Sequence, residues 1–444
     1  MSRQAAAASL PQEPASGSAP SVPGPGEPGK AAALRVAVDA VAAAPGGGLS
    51  YLRAQLPQLE RHGVSLLVFA RAAVAADLRA ALRSPDSAVR VVDGASRAAG
   101  LRFIHTRLAA EARRWGADVL YCPGSTAPLR SSGLPTVVCV QNPHLFGADV
   151  PRSPTLAALR PVAWLSALRA AELVHISAST AAEFSRHSAL RRSCSVVLSG
   201  LGQVEHGSRP AAGVRRDAIV VVSNLYTYKR IDEVIVAFAG ERGLRDVYEL
   251  VIAGEELEAG VHQRLAELAS ARGCAERVRF TGFLAKAELL DLYDRAAALV
   301  STSRKEAFPL PPGEALAVGV PVVLSDIPPH RELYGRWARL VTPGDAEGLR
   351  RAMLAAVRQG RVPDDQTEEL RATFSWARNG EALARVLRRA ATAGPTPVTR
   401  SLRAVQVTAL PLAVRAVVGR AAHGAPGPSP SGERGRHGCG RRAA

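Results

Sequence analysis

Short runs of β-branched and aliphatic residues recur along this chain. Each is followed by a stretch whose apolar residues return every three or four positions. The first run, LRVAVDAV (34–41), passes through a glycine turn into a segment carrying Leu49, Leu52, Leu56 and Leu59 at helical spacing. SLLVFA (65–70), ADVLYCP (117–123), PTVVCVQN (135–142), LVHIS (173–177) and SVVLSG (195–200) continue the series. Strands that alternate with helices demand a parallel sheet, and such a sheet must be covered on both faces.

The pattern pauses in GLGQVEHGSRPAAG (200–213), which is polar and glycine-rich and reads as a linker. It then restarts. AIVVVSNL (218–225), a helix from Asp232 to Ala239, YELVIAGE (248–255), RVRFTGF (277–283), a helix through Leu289 and Tyr293, ALVSTS (298–303) and VPVVLSD (320–326) form a second set of β-α units. The 444 residues therefore divide into a leader (1–30) disordered by composition, an N-terminal domain (31–199), the linker (200–213) and a C-terminal domain (214–392). The last helix of that domain is free to cross back to the first, and a basic, partly disordered tail (393–444) follows. Two such domains in tandem leave a cleft faced by the C-terminal ends of both sheets, where ligands of open α/β sheets bind.

The formal net charge of +17 invites a nucleic-acid partner, but its distribution argues otherwise. Only Lys30, Lys229, Lys286 and Lys305 are lysines, and the tail from 395 holds eight Arg against one Glu. No basic stretch is interleaved with aromatics, so no nucleic-acid partner is expected. A basic surface equally suits an anionic nucleotide or an anionic membrane face. SLRAVQVTALPLAVRAVVGRAA (401–422) could form an amphipathic helix, broken near Pro411, that lies on a membrane, packs on the body or stays unstructured. No apolar run reaches the roughly 18 residues of a membrane span, and the first residues lack a secretory pattern. The expected location is the cytoplasm, or the inner face of its membrane. The five scattered cysteines (Cys122, Cys139, Cys194, Cys274 and Cys439) have no paired spacing and are expected as buried thiols rather than disulfides or zinc ligands.

The chemistry concentrates in RKEAFPLPPGEALAVGVPVV (304–323). Glu306 follows a strand and so sits at its cleft end. Phe308 through Pro312 read as a tight turn, and a helix begins at Gly313-Glu314 with its N-terminus toward the same cleft. Free N–H groups at a helix start suit phosphate or sugar hydroxyls. Two carboxylates there can accept hydrogen bonds from hydroxyls, which a sugar nucleotide carries at both ends. The plainer reading of Glu314 is that it only complements its helix dipole.

This stretch resembles the retaining glycosyltransferases of family 4, which have the GT-B fold of two Rossmann-like domains. The resemblance rests on E-x7-E with an aromatic two residues after the first Glu and a following G-x-P-V-V. It extends to SDIPPHRELYG (325–335), VVSNLYTYKRIDEVIVAF (221–238), LVIAGE, RFTGF, KAELLDLYDRAAALVSTS, GDAEGLRRAM (344–353), FSW (374–376) and PGGGLSYL (45–52). It implies that Glu306 holds hydroxyls of the donor sugar and Glu314 the ribose, with the amides of Ala307, Phe308 and Leu310 facing the sugar. Lys229, with help from Arg230, would neutralise the diphosphate, and Gly46, Gly47 and Gly48 would let the backbone approach it. Asn142 falls where the family often has a His or Asp, and His144 lies two residues on; either would contact donor sugar or acceptor. A solvated turn for Lys229, an ordinary flexible turn for the glycines, and capping or surface roles for Asn142 and His144 are the alternatives. His175, inside an apolar run, reads as a satisfied core histidine, and Ser177, Ser179 and Thr180 as a helix N-cap.

Two departures from the family pattern stand out. Ala307 and Pro309 stand where many relatives have glycine, and Pro309 offers no N–H. Ser223-Asn224 stands where relatives carry an arginine that pairs with the lysine. The implied activity is transfer of a hexose from a nucleoside diphosphate sugar to a carbohydrate, lipid-linked or small-molecule acceptor, with retention. No metal or other cofactor is expected, since no Asp-x-Asp is present. The rival readings are a degenerate GT-B protein that binds a nucleotide sugar without turnover, and a nucleotide-sugar epimerase of the same fold.

Overall fold

The structure, a computed structural model, describes residues 33–44, 47–92, 94, 96–129, 132–141, 145, 154–187, 194–201 and 216–395. Gly46, Asn142, His144 and Cys439, with nearly all of the leader, linker and tail, lie outside the described residues.

The first half is a seven-stranded parallel sheet. Its strands are β1 (Leu34–Ala40), β2 (Val64–Arg71), β3 (Ala88–Val92), β4 (Val119–Cys122), β5 (Thr136–Val140), β6 (Glu172–His175) and β7 (Cys194–Val196), in the order β3-β2-β1-β4-β5-β6-β7. The second half is a six-stranded parallel sheet of β8 (Ala218–Val222), β9 (Glu249–Ala253), β10 (Val278–Gly282), β11 (Ala296–Ser301), β12 (Val322–Ser325) and β13 (Arg339–Val341), in the order β10-β9-β8-β11-β12-β13. Each sheet starts at its centre, winds to one edge and then crosses to the other side, so each has a switch point beside its first strand. These are the two doubly wound domains of the GT-B fold.

Alternate residues of β1 explain why both faces must be covered. Val36, Val38 and Ala40 pack on one side with the helix Gly47–Arg61, while Ala37 packs on the other among Phe69, Leu120 and Leu108. The helix Trp376–Ala393, although last in the described chain, belongs to the first half's core. Its Leu383, Leu387 and Ala390 share a cluster with Leu52, Leu56 and Tyr121. Polar contacts fix that crossing: Gln55 Nε2 donates to Asn379 Oδ1 at 3.0 Å, and Arg389 pairs with the buried Glu172 at 2.6 Å.

Three expectations are corrected. The helix expected from Gly313 spans Leu310–Ala317, because proline suits a first helical turn, so Pro311 and Pro312 are helical rather than part of a turn. Cys194 lies in the edge strand β7 and is exposed, whereas Cys122, Cys139 and Cys274 are buried. His175 is fully buried against the Phe184 ring, but neither ring nitrogen has a hydrogen-bond partner among the described residues.

Candidate functional site

In the second half the switch point lies between β8 and β11, which are neighbours in the sheet. The loop leaving β8 carries Lys229 and the loop leaving β11 carries Glu306, so the topology alone brings these two residues together. Lys229 Nζ stands 2.5 Å from Glu306 Oε1, and the two side chains keep only 15% and 13% of their surface open. Lys229 also lies over the Tyr228 ring, 5.2 Å from its centroid. Tyr228 stacks on Tyr226, and burial beside the Glu306 charge pushes its phenol well above the usual range.

The backbone of the two loops is stitched together. Thr302 Oγ1 lies 3.1 Å from Lys229 O and 2.7 Å from Arg230 O, and Arg304 N donates to Tyr228 O at 2.9 Å. Arg230 holds a left-handed backbone with φ of 52°, unusual for a side chain of its size, and thereby turns the chain into the helix Ile231–Ala239. Its guanidinium is engaged by Asp232 at 2.9 Å and Glu233 at 3.2 Å, and Glu233 also accepts from Arg304 at 2.6 Å.

Glu314 lies inside the helix Leu310–Ala317, buried, and accepts from Tyr293 Oη at 3.2 Å. It stands in the second turn, beyond the first turn in which a carboxylate offsets the dipole. Gly313 precedes it at a very close approach: a Cβ there would lie 2.4 Å from Leu201 and 2.8 Å from the Tyr334 hydroxyl. That hydroxyl donates to Pro309 O at 2.8 Å, and Phe308 packs edge-on against Phe374 at 5.7 Å. The whole turn is thus clamped from below by aromatics. The first turn of the helix has unusually few orphan donors, because Pro311 and Pro312 carry no N–H. Among the described residues, the N–H groups of Ala307, Phe308 and Leu310 have no hydrogen-bond partner.

His330 lies near this place without a clear signal in the sequence. His330, on the helix Pro328–Tyr334, is fully buried; its Nδ1 lies 2.8 Å from Ser325 O, and burial lowers its pKa despite the Glu306 charge nearby. Phe283 leaves the C-terminal end of β10 with 67% of its surface open, an aromatic face at the ligand-side edge of the sheet. Asn224 is occupied structurally, its Oδ1 accepting from Glu255 N at 3.2 Å. Gly47 and Gly48 form the first turn of the helix after β1, and a Cβ at either would meet nothing within 4 Å.

The first half reaches the same segment. Ser177 Oγ donates to Ala307 O at 3.1 Å, and Lys305 pairs with Glu183 at 3.0 Å. Glu332 accepts from Ala178 N and Ser179 N at 2.6 Å each, and from Ser179 Oγ at 2.5 Å.

Residues 209–373 match the family model of the glycosyl transferases group 1. Among curated proteins, the mannosylfructose-phosphate synthase of Agrobacterium fabrum is 29% identical over 182 residues, 38% of this chain and 39% of that protein. The D-inositol 3-phosphate glycosyltransferase of Mycobacterium marinum is 31% identical over 196 residues, 41% of each chain. The alignments thus span about two fifths of the length of these two curated relatives. Among solved structures, the sucrose-phosphate synthase from Thermosynechococcus elongatus superposes with a TM-score of 0.65 at 18% identity, over 81% of this chain and 100% of that one. The Anabaena HepE structure with UDP and glucose superposes with a TM-score of 0.55 at 18% identity, over 84% and 100%.

Proposed function

We propose that this chain is a retaining glycosyltransferase of the family 4 type, moving a hexose from a nucleoside diphosphate sugar to a hydroxyl acceptor in polysaccharide or glycoconjugate biosynthesis. The observation that carries the reading is the Lys229–Glu306 pair at the switch point of the second sheet, beside the open amides of Ala307, Phe308 and Leu310. The group 1 match over 209–373 covers this pair and Glu314. HepE has been solved with UDP-glucose, and further curated relatives are named mannosyltransferases, which supports a nucleoside diphosphate hexose as donor.

In this reading Glu306 accepts hydrogen bonds from donor-sugar hydroxyls and Glu314 from the ribose. The open amides are dipoles fixed before the substrate arrives. Lys229 turns from Glu306 to the diphosphate and stabilises the charge that grows as the glycosidic bond breaks, with Arg230 adding to the field. The two carboxylates bind rather than act as a glycosidase pair. The departing diphosphate oxygen takes the acceptor proton on the same face, so the new bond keeps the configuration of the old one. Protein cations supply the charge, and no resident metal is invoked. The acceptor is a carbohydrate, a lipid-linked saccharide or a small molecule, with the basic 401–422 segment as the membrane contact in the lipid-linked case.

The test is release of nucleoside diphosphate from a panel of UDP-, GDP- and dTDP-hexoses without added metal, with the released sugar's configuration followed by proton NMR. Release from one donor with retention supports the reading. No release from any donor, with or without magnesium, overturns it.

A further inference from the structure

Lys305, Glu306 and Ala307 are consecutive, yet their partners come from different halves of the molecule. Glu306 pairs with Lys229 of the second half. Its neighbours are held by the helix Ala178–His187 of the first half: Lys305 by Glu183 at 3.0 Å and Ala307 O by Ser177 Oγ at 3.1 Å. Ser177 is fully buried and caps that helix, accepting from Thr180 N at 3.1 Å. Since its one hydroxyl proton goes to Ala307 O, Thr180 Oγ1 is the donor in the 2.6 Å contact between the two hydroxyls. Breaking the Ala307 contact would leave a buried hydroxyl proton without that acceptor.

The same helix end meets Glu332 of the second half. This carboxylate collects two backbone N–H groups and the Ser179 hydroxyl, all within 2.6 Å. An anion at a helix N-terminus is favoured by both the orphan donors and the dipole. Unlike Ser177, Glu332 and Ala178 are exposed, so water can replace their bonds when the halves part. The arrangement combines an exposed, exchangeable latch with a buried contact on the loop that carries Glu306.

We infer that Glu332 and Ser177 are positioning residues: docking of the Ala178–His187 helix on Glu332 closes the two halves and, through Ser177 and Glu183, seats the Lys305–Ala307 segment so that Glu306 is held in place. The inference rests on the reading of Glu306 as a donor-sugar ligand, and it adds residues that never touch the substrate. With the latch open, Lys305 and Ala307 lose their partners and the Glu306 loop gains freedom, while Lys229 and Glu314, both on elements of the second half, keep their places for the nucleotide.

The experiment compares the full-length protein with Glu332→Ala, Glu332→Gln and Ser179→Ala by hydrogen exchange and small-angle scattering, alone and with UDP or GDP. The expected result for Glu332→Ala is about tenfold or more faster exchange of the Arg304 and Lys305 amides, which donate to Tyr228 O and Ser303 Oγ, and a larger radius of gyration, with Glu332→Gln partly restored. Ser179→Ala removes one hydroxyl without touching the carboxylate and should show a smaller change of the same sign. Unchanged exchange and radius in Glu332→Ala would overturn the inference. If a donor is turned over, kcat should fall about tenfold or more in Glu332→Ala while nucleotide affinity is kept; equal losses in both would also count against it. Exchange and scattering need no turnover, so a protein that hydrolyses no donor defeats the glycosyltransferase reading without deciding the latch.

Discussion

Lys229 and Glu306 are 77 residues apart in sequence and 2.5 Å apart in space, because they leave the two strands that flank the switch point of the second sheet. An ion pair this enclosed gives little net stability, since desolvation offsets most of the attraction. It does hold a cation ready at the ligand-side end of the sheet. In the proposed reading a diphosphate competes with Glu306 for Lys229. Calorimetric titration with UDP and GDP should therefore show Lys229→Ala losing about tenfold or more in affinity, on the scale of about 1.4 kcal/mol or more. Glu306→Gln should bind the nucleoside diphosphate at least as tightly as the unaltered protein. A large loss of nucleoside diphosphate affinity in Glu306→Gln would contradict this competition.

Gly313 tests the packing beneath the loop. An added Cβ would meet Leu201 at 2.4 Å and the Tyr334 hydroxyl at 2.8 Å, and that hydroxyl already serves Pro309 O. Gly313→Ala should lower stability by about 1–3 kcal/mol, as overpacking does. The check is a thermal or urea melt. A variant as stable as the parent would mean that Leu201 and Tyr334 give way to the added methyl without cost.

Asp39 closes β1 with 9% of its surface open, and burial raises its pKa from 3.8 to about 7 against the single Val41 N–H that it accepts. Below pH 4 both folded and unfolded chains hold the proton. Between 4 and about 7 the unfolded chain releases it first, so the Asp39 contribution to stability falls as pH rises and stays low above 7. Asp39→Asn should match the parent near pH 4 and exceed it at pH 8 by on the order of 2–4 kcal/mol. Denaturant melts at the two pH values measure the difference.

His175 has the opposite dependence. Burial lowers its pKa from 6.5 to about 4, so the unfolded chain takes up the proton first as pH drops. The His175 contribution to stability should fall between pH 6.5 and 4 by up to about 3 kcal/mol, opposing the Asp39 gain over the same range. His175→Leu, which removes two ring nitrogens without partners among the described residues, should flatten that part of the profile. An unchanged acid limb would rule out His175 as its source.

The sequence made the doubly wound sheets legible because a buried parallel strand is a continuous apolar run, as in VVLS of β12 and VLYC of β4. It concealed β3 and β13. These are edge strands, open to solvent on one side, so AVRVV and RLV carry arginine and lack that signature. The grouping of Lys229 with Glu306 was suggested by resemblance, but their contact depends on strand order, which no local pattern encodes. Glu332 and His330 were invisible for another reason. They sit on one short helix, Pro328–Tyr334, one facing the other half and one its own core, and the choice is made by tertiary packing. The extra turn at Leu310 was hidden by two prolines that usually mark a loop.

The most direct test of the account is the rate at which Glu306→Ala turns over the donor that the unaltered protein hydrolyses, measured at saturating donor. The expected result is a fall of about 100-fold or more, the scale for losing a preorganised electrostatic group, with nucleoside diphosphate affinity retained. Turnover at the parent rate would contradict it, and would place the donor sugar somewhere other than beside Glu306.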